Sequence, residues 1–362
     1  MKIGILTFHW ANNYGAVIQT FALLSKLKEL GHEAYIIDRQ MVYKGILRKL
    51  YHKLSYEHFF SWRKFREDAD AFLQPKTKTY TSHDELVKNF DEENFDAVIV
   101  GSDQVWRWKL IGLNYFLDFI TNDNIKRYSY AASFGLDEWH GSEEDRIEIS
   151  ALLKKFNKVS VREETGVNIC KNTFGVDAEL VLDPTLLHTR DFYERTLLKN
   201  HRAHSSGKVV SYILGENKKL VIGIAEWAKS IGRKHNELFS TAIDYPVLMG
   251  KSERHITHVT PIEWMNEIRN AEYVVTNSFH AAVFSILFQK QFVVLTHDGG
   301  GNNRLETLFN TLGIKGRSMN DIASISTILS DEIDYGIVNK KLEESRMSSE
   351  AFLKNIQLWQ QL

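Results

Sequence analysis

The opening forty residues constrain the fold most. Ile3 to Thr7 is a short apolar run with a β-branched bias, the pattern of a strand buried on both faces. His9-Trp10-Ala11-Asn12-Asn13-Tyr14-Gly15 then breaks the pattern with turn formers. From Ala16 the apolar residues Val17, Phe21, Leu24 and Leu27 recur at helical spacing, Gly31 ends the helix, and Ala34 to Ile37 forms the next strand. Strand, loop, helix and strand make a βαβ unit. Its first loop sets backbone N–H groups and a helix N-terminus at the carboxyl edge of the sheet, where open α/β sheets bind anions. No G-x-G-x-x-G and no G-K-[ST] is present, so the loop is neither a dinucleotide fingerprint nor a Walker loop. Asn12, Asn13 and Tyr14 suit a phosphate or carboxylate held beside a sugar.

The same grammar continues. Phe95 to Val100 is a buried strand entering the turn Gly101-Ser102-Asp103. Arg127 to Gly135, Val159 to Arg162 and Leu180 to Thr185 read as further strands, and the polar stretch Leu197 to Lys208 reads as a linker. Beyond it, strands at Val209–Leu214, Tyr273–Thr276 and Phe292–Leu295 alternate with helices at Leu220–Ile231, Ser278–Phe288 and Arg304–Leu312. This alternation predicts an α/β protein of two Rossmann-like, doubly wound domains, residues 1–196 and 209–335, facing a cleft. A C-terminal helix over 336–362 packs back across them. Residues 44–73 form a basic, aromatic helical insertion, either a helix pair covering the sheet or a face for an anionic membrane surface.

At 362 residues, two domains are the natural division. The 45 basic residues balance 46 acidic ones, which argues against a nucleic-acid footprint over the whole protein. A single cysteine, Cys170, rules out an internal disulfide and a cysteine-based zinc site, and reads as an inert buried thiol. His255 and His258 have H-x-x-H spacing without a third partner, so no metal is expected. No basic-then-apolar leader and no run of about 18 apolar residues is present, so the expectation is a soluble, cytoplasmic protein.

Four loops at strand ends carry the candidate chemistry. In Ser102-Asp103-Gln104-Val105-Trp106, Asp103 can orient or deprotonate a sugar hydroxyl and Trp106 can stack on the ring; the alternative is a helix cap with Trp106 in the core. Arg162 is shaped for bidentate binding of a carboxylate or phosphate, or for a salt bridge to Glu163 and Glu164. Asn277-Ser278-Phe279-His280 opens a helix whose N–H groups can receive an anion, with His280 at the cleft mouth. His297-Asp298-Gly299-Gly300-Gly301 can form a mobile loop or a plain turn ahead of Arg304.

These stretches together resemble the polysaccharide pyruvyl transferase family. The carrying segments are TFHWANNYGAVIQ (7–19), DAVIVGSDQVW (96–106), YSYAASFG (128–135), SVREETG (160–166), LDPTL (182–186), TNSFHAAVFSI (276–286) and NRLETLFNTLG (303–313). The resemblance implies a GT-B-like fold and transfer of pyruvate from phosphoenolpyruvate, as co-substrate, to two hydroxyls of a sugar. It implies no metal or organic cofactor, and an acceptor that is a glycan or a lipid-linked oligosaccharide met at the inner face of the cell membrane. Arg162 matches the family's basic residue for the donor, and His280 the histidine of an Arg-x-His signature whose arginine is replaced here by Ser278. Arg304 can supply that charge instead. His280 and Asp103 are the expected acid and base; Arg162, Arg304, Ser278, Asn277, Asn12, Asn13, Tyr14, Ser102, Gln104 and Trp106 are the expected binding residues. A GT-B glycosyltransferase using a nucleotide sugar and a non-catalytic glycan-pathway protein are the alternatives.

Overall fold

The computed structural model describes residues 1–40, 56–107, 112–215, 218–238, 256–257, 259–296 and 302–356. The first half runs β1 (Lys2–Leu6), α1 (Tyr14–Glu29), β2 (Glu33–Ile36), α2 (Tyr56–Phe72), β3 (Ala97–Val100), β4 (Lys126–Ser129), α3 (Glu143–Leu153), β5 (Ser160–Val161), α4 (Glu164–Phe174) and β6 (Glu179–Leu180). The second runs β7 (Lys208–Tyr212), α5 (Lys218–Ser230), β8 (Lys234–Leu238), β9 (Ile256–Thr257), α6 (Pro261–Asn270), β10 (Tyr273–Thr276), α7 (Phe279–Leu287), β11 (Gln291–Leu295), α8 (Asn303–Leu312), β12 (Ser318–Met319) and α9 (Tyr335–Lys354).

Both main sheets are parallel. The first has the order β2-β1-β3-β4, with Ile3 opposite Ala34 on one side and Ala97 on the other. The second has the order β12-β11-β10-β7-β8-β9, which is the doubly wound dinucleotide-fold order counted from β7. Helices on both faces make the central strands largely apolar, and Ala97-Val98-Ile99-Val100 is apolar along its whole length. Strand order reverses between β1 and β3 and between β7 and β10, so the loops after those four strands flank the two switch points.

Helix α1 departs from the sequence expectation. Its periodicity predicts one buried stripe, yet Tyr14 to Thr20 are all buried. The cause is that both halves cover it. Tyr14 stacks on Trp264 of α6, with ring centroids 5.3 Å apart and planes at 10°, and its hydroxyl donates to Val259 O at 3.1 Å. Lys26 pairs with Glu350 of α9 at 2.9 Å. Helix α9 also ties down the end of the first half, where Arg346 Nε donates to Leu186 O and Leu182 N donates to Ser349 Oγ, both at 2.9 Å.

The described part of the basic insertion lies along the seam. Phe65 is buried against Tyr14, Lys64 pairs with Glu263 at 2.8 Å, and Arg66 donates to His9 O. Residues 44–55 and 357–362 lie outside the described residues. No helix among the described residues is long and apolar enough to cross a membrane.

Candidate functional site

The first-half loops and the second-half loops meet around a cavity of about 340 Å³. Gln104, Arg107, Asp137 and His140 line it from the first half, and Asn277, Phe279, Asn302 and Arg304 from the second. Gly135 has φ +65°, and a Cβ there would fall 2.6 Å from Gln104 Oε1, so only glycine fits beside that amide. Gln104 in turn accepts from Arg107 Nη1 at 3.0 Å. Two guanidinium groups and an imidazole, against the one carboxylate of Asp137, give the cavity a basic lining that can receive a small anion.

Arg304 is the charge at the start of α8. Burial, helped by the neighbouring Arg162, pushes it down to about 10, while Glu163 and Asp103 pull the other way. Its Nε is buried without a partner. A buried guanidinium short of acceptors is a group ready for an anionic ligand.

Arg162 has a different environment. Its side chain is 1% exposed and is turned toward carboxylates: Asp183 at 2.8 Å, Asp103 at 3.5 Å and Glu163 at 3.9 Å. Nη1 also donates to Ser102 Oγ at 3.0 Å, and the guanidinium lies over the Phe279 ring, 4.7 Å from its centroid. Phe279 lines the cavity and Arg162 lies behind it. Arg162 is therefore placed as the hub of a buried ion cluster. The neighbour salt bridge foreseen from Glu163 is present only at long range, and Asp183 is the closest partner.

Asp183 follows β6 and caps the short helical turn Pro184–Leu187, accepting from Thr185 N at 3.0 Å and Thr185 Oγ1 at 2.6 Å. Burial alone would raise its carboxyl. The neighbouring His280 and Arg162 and the Thr185 hydroxyl outweigh that and hold it well below the ordinary carboxylate range. Glu163 is the opposite case. Its Oε1 accepts from Phe134 N at 2.9 Å, and burial raises it despite the opposing pull of Arg162 and Arg304.

His280, in the first turn of α7, does not line the cavity. Nε2 is buried and lies 3.6 Å from Asp183 Oδ2, and the ring meets Phe279 edge-on at 5.2 Å. Asp103 has φ +87°, a left-handed conformation that costs an aspartate about 1–3 kcal/mol and collects at functional sites. Its carboxylate accepts from Gln104 N at 2.8 Å, next door to the cavity.

The remaining sequence candidates divide sharply. Gln104 and Asn277 line the cavity, Asn277 while clasping both backbone groups of Leu214. Ser102 is fully buried and donates to Asp183 at 2.7 Å. Ser278 caps α7, accepting from Ala281 N, and Asn13 caps α1, accepting from Ala16 N at 3.1 Å. Asn12 keeps a buried, unpartnered Oδ1 at the same loop. Tyr14 belongs to the seam between the halves.

Trp106 is a correction. It is 1% exposed, stacks on Phe116 at 5.6 Å and donates to Tyr115 O, so it is core and cannot stack on a bound sugar. Residues 297–301, His255 and His258 lie outside the described residues. Among the described residues no three His, Cys, Asp or Glu side chains group as metal ligands.

Sequence reasoning passes over Asp183, Arg107, His140 and Phe279. Asp183-Pro184 after an apolar strand was the available signal for the first. The other three have none, because only the meeting of two domains brings them together.

A sequence profile of the family described as Polysaccharide pyruvyl transferase matches residues 13–299. No curated protein sequence matches the chain. Among solved structures, the chain is similar to the UDP-GlcNAc 2-epimerase of Methanocaldococcus jannaschii, with 15% identity, a TM-score of 0.53, and 92% of this chain and 93% of that one covered. It is similar to the S. aureus MnaA–UDP co-structure at 12% identity and a TM-score of 0.57, covering 100% and 97%. The Neisseria meningitidis UDP-GlcNAc 2-epimerase bound to UDP-GlcNAc gives 15%, 0.53, and 98% and 100%. At such identities the likeness carries the fold, which is GT-B-like.

Proposed function

The chain belongs to the polysaccharide pyruvyl transferase family, and from that premise we propose that it transfers the pyruvyl group of phosphoenolpyruvate to two hydroxyls of one sugar, forming a cyclic ketal and releasing phosphate. The observation that carries this reading is the basic cavity between the two halves, to which the first half contributes Arg107 and the second Arg304. Phosphoenolpyruvate puts a carboxylate and a phosphate on one small molecule, and two guanidinium groups in one cavity supply a cation for each.

The chemistry follows from the donor. A proton added to the methylene carbon leaves C2 electron-poor, and the C=C π pair becomes the new C–H bond. One sugar hydroxyl adds at C2 and gives its proton to a base. The C2–O bond to phosphate then breaks, phosphate departs with the electron pair, and the second hydroxyl closes the ketal with loss of its proton. Arg304 and Arg107 stabilise the charge on the donor and on the leaving phosphate. His280 is assigned the proton for the methylene carbon and Asp103 a sugar hydroxyl. Phe279 lines the cavity and packs edge-on against His280.

The test is phosphate release from phosphoenolpyruvate with a panel of galactose-, glucose- and mannose-bearing acceptors. Release that depends on one acceptor, whose product gains a pyruvate ketal by mass, supports the reading. Two of those solved neighbours carry UDP or UDP-GlcNAc. No release with any acceptor, together with a rise in melting temperature on adding a nucleotide sugar, would replace pyruvyl transfer with glycosyl transfer.

A further inference from the structure

Asp183 sits where three chain segments from both halves converge. Its Oδ2 accepts from Ser102 Oγ at 2.7 Å and Arg162 Nη1 at 2.8 Å, and faces His280 Nε2 at 3.6 Å. Its Oδ1 is held by the Thr185 amide and hydroxyl. The side chain has no exposed surface, so its orientation is fixed from every side.

His280 is held just as closely. Its Nε2 is buried with no hydrogen-bond partner, and the one carboxylate placed opposite it is Asp183. Across the ring, a Cβ built on Gly15 would fall 2.0 Å from Nδ1. The bare Cα of Gly15, at the start of α1, is what allows the imidazole to lie there. A neutral imidazole carries one N–H, and a carboxylate facing one ring nitrogen selects the tautomer protonated on that nitrogen.

We propose that Asp183 is a positioning residue that holds His280 in the Nε2–H tautomer, leaving Nδ1, on the side of the Asn12–Gly15 loop, as the nitrogen that carries and delivers a proton. Gly15 has no Cβ to push the ring off that side. The catalytic consequence rests on the pyruvyl-transfer reading; the tautomer does not. In the transfer step the imidazolium gives its Nδ1 proton to the donor's methylene carbon and the Nε2 proton stays in place, so the ring returns to the tautomer that Asp183 selects. No proton passes to the carboxylate.

The test uses the full chain labelled with ¹⁵N-histidine, the His280 signals being identified by their loss in His280→Gln. Wild type should show the Nε2–H tautomer. Asp183→Asn presents an amide that can donate to Nε2, so the tautomer should become mixed or inverted. Its kcat with phosphoenolpyruvate should fall by up to about 10⁴-fold, the effect of an amide holding a catalytic histidine in the wrong tautomer, with KM changed less than threefold. Asp183→Glu should restore the tautomer and part of the kcat, and it serves as the test if Asp183→Asn does not fold. Gly15→Ala should lower kcat by displacing the ring.

An Nδ1–H tautomer in wild type overturns the proposal. So does an Asp183→Asn protein with the wild-type tautomer and kcat, or an Asp183→Glu protein in which neither recovers. If no protein releases phosphate from phosphoenolpyruvate while the tautomer pattern holds, pyruvyl transfer fails and the positioning role stands.

Discussion

Arg162→Ala and Arg304→Ala should fail in opposite ways. Arg162 is the buried partner of an ionised Asp183, each side chain 1% exposed or less, so solvent does little to screen the pair. Removing one member of such a pair costs about 3–5 kcal/mol, because a charge is left buried and uncompensated. Loss of the contact with Phe279 adds about 0.5–2 kcal/mol. At roughly 2–4 °C per kcal/mol for a domain of this size, Arg162→Ala should lower Tm by roughly 7–28 °C. The pH dependence has a definite sign. Asp183 is depressed in the folded protein, so its share of stability is complete above its unfolded value near 4 and is lost as pH falls toward its folded value. Without Arg162 the folded value rises, so Asp183 contributes less stability and the pH range over which it is lost narrows from the acid side. Arg304, crowded by Arg162, should cost little stability when removed, but the phosphoenolpyruvate KM should rise by the worth of one charge-assisted hydrogen bond, about 1.5–3 kcal/mol or roughly 10- to 150-fold. Calorimetry and initial-rate phosphate release read the two separately. An Arg162→Ala protein with wild-type Tm and a raised KM would refute the reasoning, since Arg162 would then face the donor rather than the fold.

Trp106→Ala should cost about 3–5 kcal/mol in urea unfolding, the range for a buried aromatic ring; a loss under 1 kcal/mol would put the ring outside the core. Glu163 is raised in the folded state, so the folded protein binds more protons and stability falls as pH climbs above the unfolded value near 4. Glu163→Gln should flatten the stability–pH curve and be more stable than wild type at pH 8; a less stable variant there would show the charge to be needed. Burial pushes Cys170 up to about 12, so a thiol reagent should label it only on unfolding, and rapid labelling of the native protein would contradict its placement.

Much of the fold is legible in sequence because parallel strands covered on both faces have little choice of residue. Ala97-Val98-Ile99-Val100 can be read as buried without knowing its neighbours, and Gly313 ends α8 with φ +70° as its place after an apolar period implies. The burial of α1 on all sides is not legible. Gln19 and Thr20 are polar on a face the sequence assigns to water, and they are buried because Gln19 donates to Thr7 Oγ1 at 2.9 Å and Thr20 bonds back to Ala16 O at 2.7 Å. Local side-chain bonds of that kind leave no trace in a hydrophobic period.

The site shows where such reading stops. A strand-end position marks a residue as near the cleft, but a cleft edge has an outer and an inner layer, and residue type does not separate them. Arg162 and Arg304 are the same residue in equivalent settings, one after a strand and one opening a helix. What divides them is how close the carboxylates come: Asp183, Asp103 and Glu163 converge on Arg162 within 3.9 Å, whereas at Arg304 burial and Arg162 outweigh the pull of Glu163 and Asp103. A cation surrounded by carboxylates has its charge offset within the fold, and one short of them gains most from binding an anion, although Arg162 Nε and Nη2 also lack hydrogen-bond partners. The cluster around Arg162 therefore serves the cavity indirectly. It anchors Asp183, and Asp183 faces His280 from across the seam, so the geometry of the second half's histidine depends on an ion pair folded entirely within the first.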